Sequence, residues 1–446
     1  MLVALLMLCV VVSIAAIRSA STELRLSLGL YLGAYGITSV AGGVLLSFHE
    51  ILDSWVGGYL AVSGIELRLL DVVTSWRFAA ILLSPLVVVP LVSVTAEKFS
   101  WPLRHISASK PYRWGISLGV WVCVFLILAA YCFWRFHVAG MSSRLLNLDL
   151  LWDQYQTHIT ARREAFSAFG TVFFGLLYVG IPALSFVAFL KWMERRNPAW
   201  GAAFAISVIV VAWFLLATAQ KAPLIAYLIM LCVAAWSYSS RKTLAFMTGA
   251  LVVFFTVTVV QLLFRESWEL FDTILHLLLR VGVAIPYYAA IYPEYEAFAG
   301  IDLGLDLLGL ASARYAFISQ TVFDYVYPTV TSIAAGNAPA PAHVNAYAEG
   351  GLLYMLFTEV VVAAWIVFTA WVLRRMKGPI GQAFGLSCLL TIYYLSQVSF
   401  RLSIVGSYGI LWPTVILAAY SLINVLFLAA LARDPQLDEV AVTARR

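Results

Sequence analysis

Three kinds of side chain in this sequence could do chemistry: guanidinium groups near the ends of apolar stretches, a histidine closely followed by an asparagine, and a carboxylate inside an apolar run. Arg265 and Arg401 stand at the mouths of such runs, Arg280 ends a polar helical face, and Arg314 heads a predicted helix with Tyr315 beside it. A guanidinium offers a planar fork that grips phosphate oxygens two at a time and stays charged in a partly dry site. Glu269, Asp272, His276 and Arg280 follow at spacings of 3, 4 and 4, which puts them on one helical face. That face either lies in water on an interfacial helix or turns Arg280 into a cavity. His343 opens the run His343-Val344-Asn345-Ala346-Tyr347-Ala348-Glu349-Gly350-Gly351 at the entrance to an apolar stretch. A histidine or asparagine there is either a cap with a water contact or a reactive group. Lys221 sits in a three-residue turn between Gln220 and Pro223, snorkelling to the interface or facing an anion. Glu359 lies about two turns inside an apolar run, as a functional acid or as the partner of a neighbouring helix. The aromatic stretch from Pro286-Tyr287-Tyr288 to Tyr292-Pro293-Glu294-Tyr295-Glu296 reads as a membrane-boundary belt or as rings that stack on sugar faces.

The elements that position these residues are membrane spans. Hydrophobic residues make up 63% of the 446 positions, charged residues 11%, and mean hydropathy is +0.91. A soluble chain of this length needs a polar shell that such a composition cannot supply. Runs able to cross about 30 Å of hydrocarbon lie at about 1–17, 26–48, 78–94, 116–134, 166–190, 201–218, 222–236, 244–263, 351–373, 381–398 and 408–432. The expectation is an all-α, polytopic membrane protein with about 11 spans. The first 17 residues have no basic leader segment and are read as a span rather than a cleaved signal.

Charge sets the sidedness. Alternate loops, starting with 18–25 and ending with the tail 433–446, carry 17 Lys/Arg in 67 residues; the other set carries 11 in 159. Basic residues concentrate on the cytoplasmic side, so the tail is inside and the segment 264–350 outside. Five of six lysines (Lys98, Lys110, Lys191, Lys242, Lys377) fall on the inner side and only Lys221 on the outer. The chain divides into 1–263 with about eight spans, an outer segment 264–350 with amphipathic helices, and 351–446 with about three spans and a tail. Arg135, Arg144, Arg162 and Arg163 line a second outer loop, the paired Arg162-Arg163 beside Glu164 reading as a solvated helix face.

Cys9, Cys123, Cys132, Cys232 and Cys388 all lie in apolar runs without metal-ligand spacing, so neither a disulfide nor a zinc site is expected. The net charge of +5 is spread over short loops, which argues against a nucleic-acid partner. No Gly-rich nucleotide loop occurs, and the inner loops are too short for a soluble domain.

The layout resembles a family. A short outer turn, Ala217-Thr218-Ala219-Gln220-Lys221-Ala222-Pro223, precedes a long outer segment with arginine-bearing stretches Leu277–Arg280 and Leu308–Tyr315, and His343-Val344-Asn345-Ala346-Tyr347 leads into the next span. This is similar to the Wzy-type O-antigen and exopolysaccharide repeat-unit polymerases, related to the O-antigen ligases, over about 135–430. The family often has arginine where Lys221 stands, and lysine cannot form the bidentate fork. The resemblance implies a GT-C-like fold with a large, partly helical periplasmic loop, in a bacterial inner membrane, with the active site facing the periplasm. It implies transfer of a growing glycan from undecaprenyl pyrophosphate onto a lipid-linked repeat unit. Arg280, Arg314 and Arg401 would receive the leaving pyrophosphate, with Lys221 and Arg265 as second choices. His343 would take the acceptor proton, with Asp324 or Glu349 as fallback. Tyr315, Asn345 and Tyr347 would hold sugar. No metal or other cofactor is implied; undecaprenyl-pyrophosphate-linked oligosaccharides, membrane lipids and a chain-length regulator are the implied partners. Competing readings are the ligase that transfers glycan to the lipid A core, a flippase or transporter for lipid-linked sugar, which calls for inverted repeats and broken helices, and an assembly subunit of an export complex.

Overall fold

The computed structural model describes residues 2–46, 72, 75–99, 116–141, 170–218, 221–238, 249, 281–282, 284–301, 318–326 and 338–431. Among these, every regular element is helical. In chain order they are α1 (Leu2–Ser19), α2 (Thr22–Leu46), α3 (Trp76–Phe99), α4 (Leu118–Val138), α5 (Gly170–Arg195), α6 (Pro198–Ala217), α7 (Lys221–Tyr238), α8 (Ala284–Ile291), α9 (Ile318–Val326), α10 (Ala342–Arg375), α11 (Pro379–Leu395), α12 (Phe400–Ile404) and α13 (Leu411–Leu431). Eight are long and apolar enough to cross a membrane, and α7 and α11 contain shorter apolar helices. The chain is a multi-pass helical membrane protein. Ten of the eleven expected runs fall on these helices; the run 244–263 lies outside the described residues apart from Gly249.

Local chemistry sets the ends. Ser21 and Ser117 accept hydrogen bonds from Leu24 N and Val120 N, as N-caps do. Asn197 caps α6 through Ala199 N with Pro198 in the first turn, where its missing N–H costs nothing. Arg196 takes a left-handed φ of 51° between α5 and α6. That conformation ends one helix so sharply that the next starts two residues later.

α5 is the hub, with α6, α11, α13, α4 and α7 packed around it. Its backbone bulges into a wider helical turn over Leu176–Gly180. A Cβ at Gly175 would collide with the indole of Trp412, and one at Gly180 with Ile416 Cδ1. Small residues are what let α13 close on this bulge, as helix contacts in lipid require. Hydroxyls join the same bundle: Ser207 donates to Ser185 Oγ at 2.8 Å, and Ser185 pairs with the Tyr227 hydroxyl at 2.6 Å.

The second half of the molecule gathers α1, α2, α3, α8, α9 and α10. Its two ends carry different ion pairs, which show how the helix ends group. Arg374 reaches Glu97 at 2.8 Å and Glu23 at 3.4 Å, so 18–25, the end of α3 and the end of α10 share one face. Arg77 pairs with Glu294 at 2.9 Å, joining the start of α3 to the segment after α8 on the other. Both groupings agree with the charge count, and the faces are called inner and outer accordingly.

Candidate functional site

α10 has 34 residues, about 51 Å if straight, against about 30 Å of hydrocarbon. It is not straight. Gly350 (φ −151°, ψ 20°) and Gly351 (φ 74°, ψ −166°) leave helical geometry. Contacts with α3 give the direction on each side of the break. Before it, His343 meets the Ile81 carbonyl and Tyr347 meets Arg77, so residue numbers rise toward the outer end of α3. After it, Glu359 meets Ser84 and Arg374 meets Glu97, so numbers rise toward the inner end. The chain reverses at the two glycines. A continuous helix would hold His343 and Glu359 about 24 Å apart along its axis, yet both touch α3 within about 4.5 Å of rise. Residues 342–349 therefore form a re-entrant helix, and the stretch after Gly351 is the span.

Irregular backbone at this depth must find every partner within the protein. Ala299 N–H donates to Ala348 O at 3.0 Å and Gly300 N–H to Glu349 O at 2.9 Å, satisfying carbonyls that the break strips of helical partners. On the approach, Pro339 and Pro341 bring no N–H to satisfy. Ala338 N–H donates to Ser319 O at 2.8 Å, and Ala338 O accepts from the Tyr288 hydroxyl at 2.9 Å. Asn345 Nδ2 donates to the carbonyls of Ala340 and Pro341 at 2.7 and 3.1 Å. The amide of Asn345 is thus committed to its own backbone.

The re-entrant helix and α8 are buried on all sides. Tyr287, Tyr288 and Tyr292 lie inside the protein, not on a membrane-boundary belt, because α8 is tucked under the outer halves of α2 and α3. A Cβ at Gly282 would lie 2.6 Å from Gly42 Cα, so backbone meets backbone there. At the surface of this plug, the Tyr325 hydroxyl donates to Glu296 at 2.6 Å, and that bond raises its pKa. Burial, with Glu296 and Tyr325 nearby, pushes the Tyr292 phenol up to about 12, so it stays a donor.

At the centre stands His343, with no exposed surface. Its Nε2 lies 3.1 Å from Ile81 O and 3.3 Å from the Tyr35 hydroxyl. The Tyr35 proton is directed to Leu82 O at 2.8 Å. A carbonyl can only accept, so this geometry assigns the imidazole proton to Nε2. Nδ1 keeps the lone pair and has no hydrogen-bond partner among the described residues. One turn further along α3, Ser84 donates to Glu359 Oε1 at 2.5 Å. Glu359 is fully buried and its Oε2 is unpartnered among the described residues.

Compared with protein families, with characterised proteins and with solved structures, the chain matches none.

Of the residues singled out in the sequence, His343, Asn345, Tyr347 and Glu349 share the re-entrant helix, all buried. Tyr347 donates to Tyr292 O at 2.9 Å. Arg401 is 8% exposed on α12, which packs against α10 and α11. Asp324 is exposed on α9, away from the interior its neighbour Val322 enters. Lys221 begins α7. Arg265, Arg280, Arg314 and Tyr315 lie outside the described residues. Sequence reasoning passed over Tyr35, Ser84 and Arg77. Tyr31, Tyr35 and Ser39 do recur every four residues in an apolar run, a polar stripe that points to a protein-facing helix side.

Proposed function

We propose that this chain is a membrane glycosyltransferase, a repeat-unit polymerase of the Wzy type acting at the outer face. It would transfer a growing glycan from undecaprenyl pyrophosphate onto an acceptor hydroxyl of a lipid-linked repeat unit. The observation that carries this reading is a buried guanidinium, Arg401, on α12, which packs against α11 and against α10, the helix that bears His343 and Glu349. Breaking the anomeric C–O bond leaves a pyrophosphate with added negative charge, and a fixed cation stabilises that charge best where water is scarce. The new C–O bond releases one proton, for which the Nδ1 lone pair of His343 is the uncommitted acceptor on this helix. Arg280 and Arg314 join Arg401 in this reading, with Lys221 and Arg265 as further cations. The ligase reading shares the same donor logic and differs in the acceptor.

A translocator of lipid-linked sugar is the second reading, favoured by the helix broken at Gly350-Gly351. Purified protein given a synthetic lipid-linked repeat unit decides between them. Lengthening of the glycan, lost by about 100-fold or more in Arg401→Ala and poorly restored in Arg401→Lys, is expected. No lengthening, or full activity in Arg401→Ala, overturns the polymerase site. In a deletion strain, a polymerase defect leaves single repeat units on the final lipid, whereas a translocation defect leaves none on the outer face.

A further inference from the structure

The polar interior between α2, α3 and α10 holds more than a transferase needs. Glu359 has no exposed surface, one oxygen bound by Ser84 and the other without a hydrogen-bond partner among the described residues. Among the described residues, the groups that face it are Ser84 from α3 and Tyr31 and Tyr35 from α2, all neutral. Charged groups on the elements packed against α10 are engaged elsewhere or lie at its ends. Glu23 and Glu97 hold Arg374, Arg77 holds Glu294, Asp324 is exposed on α9, and Arg401 sits on α12. Among the described residues none shares a hydrogen bond or ion pair with Glu359. A carboxylate so enclosed, with no cation beside it among the described residues, is unstable as an anion, whereas the neutral acid keeps the Ser84 bond on its carbonyl oxygen.

Two more orphans share this interior. The Tyr31 hydroxyl and His343 Nδ1 are buried and lack hydrogen-bond partners among the described residues. Tyr31 and Tyr35 stack at 6.1 Å, and Tyr35 touches His343. The helix reversal is what sets a mid-membrane acid and an outer-face imidazole within a turn of each other on α3.

We propose that Glu359 is a proton-binding site whose proton exchanges with the outer side through Tyr35 and His343. Loading moves one proton and leaves each carrier neutral. A proton arrives at His343 Nδ1, Nε2 releases its own to the Tyr35 oxygen, and the Tyr35 hydroxyl proton turns from Leu82 O and passes to Glu359 over a bridging water. The imidazole ends in its other tautomer and Tyr35 as a phenol. Nothing in this depends on which reaction the chain catalyses.

Infrared difference spectroscopy on the full-length protein in lipid tests it. Near neutral pH, the carboxylic-acid C=O band of the wild type should be missing in Glu359→Gln, a near-isosteric change. After transfer to D2O the band should shift, and in Tyr35→Phe the shift should slow at least about tenfold. Tyr35→Phe keeps the ring stack, and its band position reports whether the site remains folded. No acid band attributable to Glu359 overturns the proton-binding site. An unchanged exchange rate in Tyr35→Phe, with the band in place, overturns the route.

Discussion

Replacing Gly351 by alanine tests the reversal on which the candidate site rests. At φ 74° and ψ −166° this residue occupies a region essentially reserved for glycine, and a side chain there costs roughly 1–3 kcal/mol. The added Cβ would also lie 3.2 Å from Phe298 Cζ. Phe298 is 40% exposed, so its ring can yield and the conformational cost dominates. Gly350 differs: φ −151° is open to any residue, and the obstacle there is Tyr354, whose Cβ would stand 2.9 Å from an added methyl. Gly29 serves as control, being helical with no atom within 4 Å of its added Cβ. Denaturant unfolding in micelles should show Gly351→Ala less stable by about 1–3 kcal/mol, with Phe298→Ala restoring only a small part. Gly29→Ala should be neutral or slightly stabilising. If Gly351→Ala matches the wild type within about 0.5 kcal/mol, the chain does not turn back at this point. The apposition of His343 and Glu359 then falls with it.

Other perturbations probe the same architecture. Asn345→Ala takes the side-chain donor from the Ala340 carbonyl, while the Pro341 carbonyl keeps the N–H groups of Val344 and Asn345, and should cost about 1–3 kcal/mol in the same unfolding assay, more than an exposed change such as Tyr295→Ala. Arg374→Ala and Glu97→Gln, combined in a double-mutant cycle, should show a coupling of about 1 kcal/mol at most, because Arg374 is 36% exposed, and the coupling should weaken in high salt. Single cysteines at Glu294 and Lys377, in a background without the five native thiols, should react with an impermeant maleimide from opposite faces of the membrane. Labelling from one face alone would overturn the sidedness.

Much of this was legible in the residues. Apolar length located the spans, and the asymmetry of Lys and Arg grouped their ends correctly, as the Glu23–Arg374–Glu97 and Arg77–Glu294 contacts show. What hydropathy cannot carry is direction. Ala342 to Ala348 is apolar enough to read as the approach to a span, and nothing in that pattern says that the chain runs outward before Gly350 and inward after Gly351. Only the paired glycines signal a break, and their torsions need the tertiary contact with Phe298 and Ala299–Gly300 to be decided. The tyrosines of α8 misled for a related reason. Rings with a polar tip suit a membrane boundary and a protein interior equally well, and the choice depends on whether a carbonyl such as Ala338 O lies within reach. Asn345 reads as a recognition residue in a motif, yet the irregular backbone before it claims its amide.

The two ends of the second half are closed by different means. On the inner side, Arg374 ties Glu23, Glu97 and Ser21 together over tightly packed Val89, Val94, Val362 and Ile366, so α1, α2, α3 and α10 are locked as one block. On the outer side, among the described residues, the buried α8, α9 and the turn at Tyr292–Gly300 are linked at the surface by the Arg77–Glu294 pair and the Tyr325–Glu296 bond. Exposed ion pairs contribute little, whereas a span-length apolar interface contributes a great deal. The described outer ion pair therefore adds little, and α8 is held there by its burial against α3 and α10. A re-entrant helix is suited to this arrangement. It brings His343 onto the same stretch of α3 as Glu359, on a segment held by the N–H groups of Ala299 and Gly300, by the Tyr347–Tyr292 bond and by the burial of every residue from Ala342 to Glu349.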